Sequence, residues 1–185
     1  SAQSALFHIS HAMVRWLSPI LTFTSEEIWQ FLPGASNESV FLQTWYEGLE
    51  GNFDNPVIEA SRDINTHLRK ELEDMRRNKI IGSSLDAEVD IYCKDDNYQN
   101  LLGLKGELRF VFITSEARVN QLSDKPTDAK EINSSLAIKV EKSDHQKCVR
   151  CWHHRPEIGQ NKAHEDLCDR CIENVSGEGE NRVFA

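Results

Sequence analysis

The chain is 185 residues long, room for one mid-sized domain or two to three small units. Hydrophobic residues make up 39% and charged residues 28%, which supports a modest core and excludes wholesale disorder; no apolar run nears the ~18 residues of a membrane span. The net charge of −9 excludes a globally basic nucleic-acid binder and leaves room for a local basic patch.

Residues 2–17 predict an amphipathic helix, with Leu6, Ile9, Met13 and Leu17 at helical spacing. Pro19 ends or bends it. Thr24 with Glu27 three residues on reads as a capping box opening a second helix, which stops at Pro33-Gly34. Residues 34–55 read as a polar connection holding Phe41, Trp45, Tyr46 and Phe53, and Asn55-Pro56 opens a long helix. Its apolar stripe runs through Ala60, Ile64, Leu68, Leu72 and Met75 and fades near Lys79. After Gly82 the period changes. Val89, Ile91 and Cys93 alternate as in a half-buried strand, Tyr98–Leu104 suggests a short helix, Leu108–Ile113 reads as a buried strand, and Leu136, Ile138 and Val140 mark another. Residues 123–135 read as a loop, and Asp144–Lys147 as a polar linker into a cysteine-rich end.

Five cysteines are unevenly placed. Cys93 stands alone as a buried strand residue. Cys148-Val149-Arg150-Cys151 and Cys168-Asp169-Arg170-Cys171 are two C-x-x-C pairs sixteen residues apart. Each pair lets two thiolates converge on one ion from a tight turn, and two pairs close a tetrahedron, as structural zinc prefers. Four sulfurs suit zinc or iron and not magnesium or calcium. His153, His154 or His164 in place of one sulfur is the minor variant. No secretory leader stands at the start, so a metal site is favoured over disulfides.

The cations fall late in the chain. Residues 1–60 hold Arg15 against seven acids, residues 61–144 fourteen cations against sixteen acids, and residues 145–185 six against seven. Any polyanion partner is expected on the later part. Two clusters stand out there. Arg150, Trp152, His153, His154 and Arg155 combine an aromatic with cations on a metal-stiffened turn, which suits stacking on an unpaired base with phosphates nearby. Trp152 could equally cover the small metal core, and Arg150 could neutralise the −2 of a zinc tetrathiolate. Arg76, Arg77 and Lys79 end the long helix, where they either complement its C-terminus or contact phosphate. His8 and His11 lie on one helix face; His8-Ile9-Ser10-His11 matches the HIGH signature of class I aminoacyl-tRNA synthetases in letters only, lacks its Gly and does not follow a strand. No nucleophile–base–acid order, P-loop or G-x-G-x-x-G is present.

Several stretches carry a family resemblance. Leu17-Ser18-Pro19-Ile20-Leu21-Thr22-Phe23-Thr24-Ser25-Glu26-Glu27-Ile28-Trp29 resembles the helical anticodon-binding domain shared by isoleucyl-, valyl- and leucyl-tRNA synthetases. Arg76-Arg77-Asn78-Lys79-Ile80-Ile81-Gly82-Ser83-Ser84-Leu85-Asp86-Ala87 resembles the end of the long helix in the isoleucyl and valyl enzymes. The two C-x-x-C pairs with Trp152 and His153, closing on Gly177–Ala185, resemble the terminal zinc finger of bacterial isoleucyl enzymes. The family's Rossmann domain, its HIGH and KMSKS signatures and its editing domain are absent, and the chain opens on Ser1 and not Met. The resemblance therefore implies the C-terminal part of a longer, monomeric, cytoplasmic enzyme that attaches isoleucine to its tRNA with ATP. It implies no catalytic residue in this segment, tRNA(Ile) as the partner, no membrane, and ATP used only by the missing part.

The expected architecture is mainly α, with a helical anticodon-binding domain at 1–85, a small α/β module at 86–143 and a C-terminal four-cysteine zinc finger at 144–185. One structural zinc is expected per chain, on Cys148, Cys151, Cys168 and Cys171. The residues expected to touch tRNA are Trp152, Arg150, His153, Arg155, Arg76, Arg77 and Lys79. Two other readings stand beside this one. A formamidopyrimidine-type DNA glycosylase ends in a similar finger but needs an N-terminal Pro-Glu; a freestanding zinc-dependent interaction module is the other.

Overall fold

A computed structural model describes residues 2–49 and 56–181. Phe53, Asn55 as the opener of the long helix, and Arg182–Ala185 of the closing motif lie outside the described residues. The chain forms two compact units, Ser1–Phe53 and Asp54–Phe184. Compactness thus divides it before the long helix, and the finger shares a unit with the sheet.

The first unit holds α1 (Ala2–Leu17), α2 (Thr22–Phe31) and a single 3-10 turn at Val40–Leu42. Val14, Trp29 and Val40 form its buried centre, with Leu32 and Ala35 packed on them. The Trp29 indole donates to the Glu38 carbonyl at 2.9 Å, and one Glu26 carboxylate oxygen accepts from Ser39 Oγ and from the Val40 N–H. These bonds tie the connection after Pro33 to α2. The helix starts two residues before the expected capping box: the Ser25 N–H reaches the Leu21 carbonyl at 2.8 Å, and no side chain caps Leu21. His8 and His11 are structural. His11 is buried, its Nε2 donating to the Pro33 carbonyl at 2.8 Å, and His8 Nδ1 meets the Tyr46 hydroxyl at 2.6 Å. Arg15 donates to the His11 carbonyl and lies over the rings of Trp29 and Tyr46.

The second unit opens with α3 (Pro56–Arg77). Its stripe, Ile64, Leu68 and Leu72, is buried against a four-stranded sheet built from β1 (Ala87–Cys93), β2 (Glu116–Gln121), β3 (Lys130–Asn133) and β4 (Leu136–Lys142). The strand order is β2-β1-β4-β3; β1 runs parallel to β2 and antiparallel to β4. Two parallel neighbours need a crossover, which α4 (Asp95–Leu102) and α5 (Leu108–Phe112) supply. Val89, Ile91 and Cys93 face Leu101, Leu108 and Phe112 in one buried cluster.

Three expectations are corrected. The apolar run Leu108–Ile113 is helix α5 and not a strand. Leu108 and Phe112, four apart, both point into the core, and Ile113 ends the helix in the left-handed region at φ 56°; so short a largely apolar run satisfies either period. The strand partnering β1 is instead the polar edge strand β2. Within the expected loop 123–135 lies β3, a second edge strand with an irregular register after Glu131. Helices dominate, as expected, but the mixed sheet takes a larger share than a mainly α reading implies.

Candidate metal centre and basic surface

The finger grows from a two-stranded ribbon, β5 (Gln146–Lys147) paired with β6 (His154–Arg155), within the expected linker and just beyond it. The first cysteine pair sits in the turn between them. The Cys148 N–H donates to the His153 carbonyl and the Trp152 N–H to the Cys148 carbonyl, both at 2.9 Å. Trp152 takes φ 67°, the left-handed conformation that closes the turn. Cys168 precedes α6 (Asp169–Ser176) and Cys171 lies in its first turn. The Val149 N–H donates to the Asp166 carbonyl, joining the two ligand loops.

All four cysteine sulfurs lie within 4.8 Å of one another, with Cys151 and Cys168 at 3.6 Å. A tetrahedron with Zn–S bonds of about 2.3 Å has edges of about 3.8 Å, so the sulfurs fit one zinc. The hydrogen bond from Cys168 pushes the Cys151 thiol down to about 2, that same bond pushes the Cys168 thiol up, and burial pushes up Cys171. A divalent ion holds all four as thiolates. Arg150 Nη1 donates to Cys171 Sγ at 3.6 Å, which places a positive charge against the cluster. No histidine joins them: among the described residues the side chains whose ligand atoms converge here are Cys148, Cys151, Cys168 and Cys171, while His153 Nδ1 bonds the Cys151 carbonyl, His154 Nδ1 the His145 carbonyl, and His164 Nε2 the Ser176 hydroxyl. Cys93 is apart from all this, buried in β1 with its thiol pushed up by burial to about 11.

The finger packs on the sheet. The His154 N–H donates to Ser115 Oγ at 2.5 Å, and Arg155 Nη1 meets Glu116 Oε2 at 2.6 Å while its Nε meets Glu157. His153 meets the Phe110 ring edge-on, and Arg170 lies over that ring while pairing with Glu180. Asp86 anchors the same junction. Burial works against its charge, but the Ser83 and Gly82 N–H donors and Lys147 outweigh it and hold the carboxyl below its ordinary value.

The expected RNA-facing residues therefore separate. Trp152 is 61% exposed, and the metal core is covered by Ile158 and Leu167 instead. Arg155 is committed: burial opposes its charge, and Glu116 and Glu157 outweigh burial and raise its pKa. His153 is half-buried against Cys151 and Phe110. Arg76 and Arg77 are exposed and pair loosely with Glu73, Arg77 also with Asp74, on their own helix. Lys79 follows at φ 57°. Sequence reading missed Glu116 and Asp86 because their partners are brought to them only by the fold.

Comparison with known proteins bears on both regions. Residues 1–91 match the anticodon-binding domain of tRNA ligases, and residues 146–174 match the zinc finger found in FPG and IleRS. The whole chain is 54% identical to the isoleucine–tRNA ligase of Ruthia magnifica, 50% to that of Thioalkalivibrio sulfidiphilus and 49% to that of Pseudomonas aeruginosa. The chain is similar to isoleucine–tRNA ligases along its whole length. The matches cover 100% of this chain and 20% of each relative, so it spans about a fifth of their length. The match over residues 1–91 separates it from the glycosylases that share the finger. The resemblance seen in the sequence thus stands, with matches to an anticodon-binding domain and to a zinc finger in one chain.

Proposed function

We propose that this chain is the tRNA-docking part of an isoleucine–tRNA ligase, a cytoplasmic and monomeric enzyme that joins isoleucine to tRNA(Ile) with ATP. The observation that carries this reading is the anticodon-binding match at residues 1–91 followed by an isoleucyl-type finger with a complete set of four cysteines. The segment holds the anticodon stem-loop, and zinc supplies rigidity and no chemistry. Single-stranded loop bases offer stacking faces; exposed Trp152 on its metal-stiffened turn is the platform, with Arg150 beside it. Arg76, Arg77 and Lys79 contact phosphate. Arg155 and His153 keep the finger seated and leave the RNA contacts to the others. Among the described residues no helix is long and apolar enough to cross a membrane.

Gel shift of the 185-residue chain with a tRNA(Ile) transcript against random RNA of equal length tests the reading. Preferential binding of the tRNA is expected; equal affinity for both would reject it. The same chain is expected to show no isoleucine-dependent ATP–pyrophosphate exchange above background, since it carries no nucleotide-binding signature.

A further inference from the structure

A groove of about 440 Å³ lies where α3 ends and β1 begins, lined by Arg76, Lys79, Ile80, Asp86 and Lys142 among others. We propose that this groove takes one phosphodiester of a bound RNA, with Lys79 and Lys142 as its two free cations and Ile80 against the adjoining sugar or base. The inference rests on the tRNA-docking reading and adds to it a defined subsite and Lys142.

Four observations carry it. First, the groove is electropositive. Its single carboxylate, Asp86, is occupied by the Gly82 and Ser83 N–H donors at 2.8 and 2.9 Å, and by Lys147 and His154 at 3.6 and 3.4 Å. Arg76 is shared with Glu73, and among the described residues no carboxylate pairs with Lys79 or Lys142. Second, the two lysines come from separate elements, one following α3 and one ending β4, so neither helix capping nor strand pairing accounts for both. Third, Lys79 lies just past the end of α3 at φ 57°. The Lys79 N–H reaches the Arg76 carbonyl and the Ile80 N–H the Met75 carbonyl, both at 3.0 Å. This is the helix-ending turn in which glycine is the usual occupant. A lysine there tolerates an unfavourable backbone and brings a charge to the groove, a pattern associated with function. Fourth, Ile80 remains 46% exposed at the groove wall. An apolar face beside cations matches a nucleotide better than a bare anion.

The glycine preference supplies a discriminating variant. Lys79→Gly should fold at least as well as the parent, because it relieves the backbone, yet it removes a cation. Lys142→Gln removes the other without touching the turn, and Lys94→Gln, at the far end of β1, is the charge control. Filter-binding of the 185-residue chain to tRNA(Ile) transcript is measured over a salt series, with thermal melting run in parallel. Each groove variant should weaken binding several-fold and make the log–log salt slope shallower by about 0.7, the value for one single-strand phosphate contact. The control should leave the slope unchanged, and Lys79→Gly should melt no lower than the parent. If the parent binds tRNA with preference and both groove variants keep its affinity and slope, the subsite is wrong while the docking reading survives. If the parent shows no preference for tRNA, both fall together. Competition by poly-glutamate as strong as by RNA of equal charge would overturn the subsite in favour of an acidic protein partner.

Discussion

The zinc finger and the four-stranded sheet share one compact unit but are held together by different physics. The sheet region buries Ile64, Leu68, Val89, Ile91, Leu101, Leu108, Phe112 and Ile138 in a continuous apolar cluster. The finger buries Ile158, Cys148, Cys168 and Cys171, with Cys151 and Leu167 half-buried. One has enough hydrocarbon to leave water cooperatively. The other has too little, so metal binding by its four cysteines is expected to supply its folding energy. Chelation and core truncation should therefore act on separate halves of the unit.

Metal removal is the largest expected effect. Structural zinc contributes about 10–16 kcal/mol of apparent binding energy in small fingers, so chelation should abolish amide protection in residues 146–176 while α3 and β1 stay protected. Uniform loss of protection across both regions would show that the sheet leans on the finger. Leu68→Ala comes next. Leu68 is fully buried, and such truncations cost about 2–5 kcal/mol; urea denaturation should register that loss while zinc content stays at one per chain. Trp152→Ala should cost about 1–3 kcal/mol of tRNA affinity, the usual worth of one base stack, and Trp152→Phe should retain much of it. Because Trp152 lies outside the metal core, zinc retention should not change; zinc loss in the Ala variant would return Trp152 to a covering role.

The smallest effect is electrostatic. Burial works against the Glu88 charge, but hydrogen bonds from Arg118 and Ser143 outweigh it and hold the carboxyl below its ordinary value. A carboxyl lowered on folding stabilises above its unfolded value, near pH 4.5, and that stability is lost as pH falls through the folded value. Urea midpoints should thus drop below about pH 4.5, and Arg118→Gln should flatten the drop. An equal drop in the variant would assign acid sensitivity to other carboxyls.

The sequence made the finger legible because cysteine spacing encodes a metal polyhedron directly. It also made α3, β1 and β4 legible, since each carries one clear period; for α1 it gave the helix but not its buried face, because Leu6, Ile9, Met13 and Leu17 are exposed and α1 buries His11, Ala12 and Val14 instead. Helix α5 was hidden because Leu108–Ile113 is apolar on both sides and too short for its period to show. Strands β2 and β3 were hidden because edge strands bury few residues; Glu116–Gln121 buries only Ala117. Trp152 could not be assigned from its position beside a ligand, because what covers a metal core depends on Ile158 and Leu167 folding over it. The commitment of Arg155 was invisible for a related reason: Glu116 stands 39 residues away and becomes a neighbour only once β2 is in the sheet.

That separation has a consequence during synthesis. Ser115, at the start of β2, waits 39 residues for the His154 N–H. At about 5–20 residues per second of translation, the delay is roughly 2–8 s. Mixed α/β domains of this size fold in milliseconds to seconds. The nascent sheet must therefore hold its own shape on the ribosome before the metal-bearing ribbon arrives to clamp the ends of two parallel strands, and the Ser115 hydroxyl, meanwhile, already has the Leu85 carbonyl to bond.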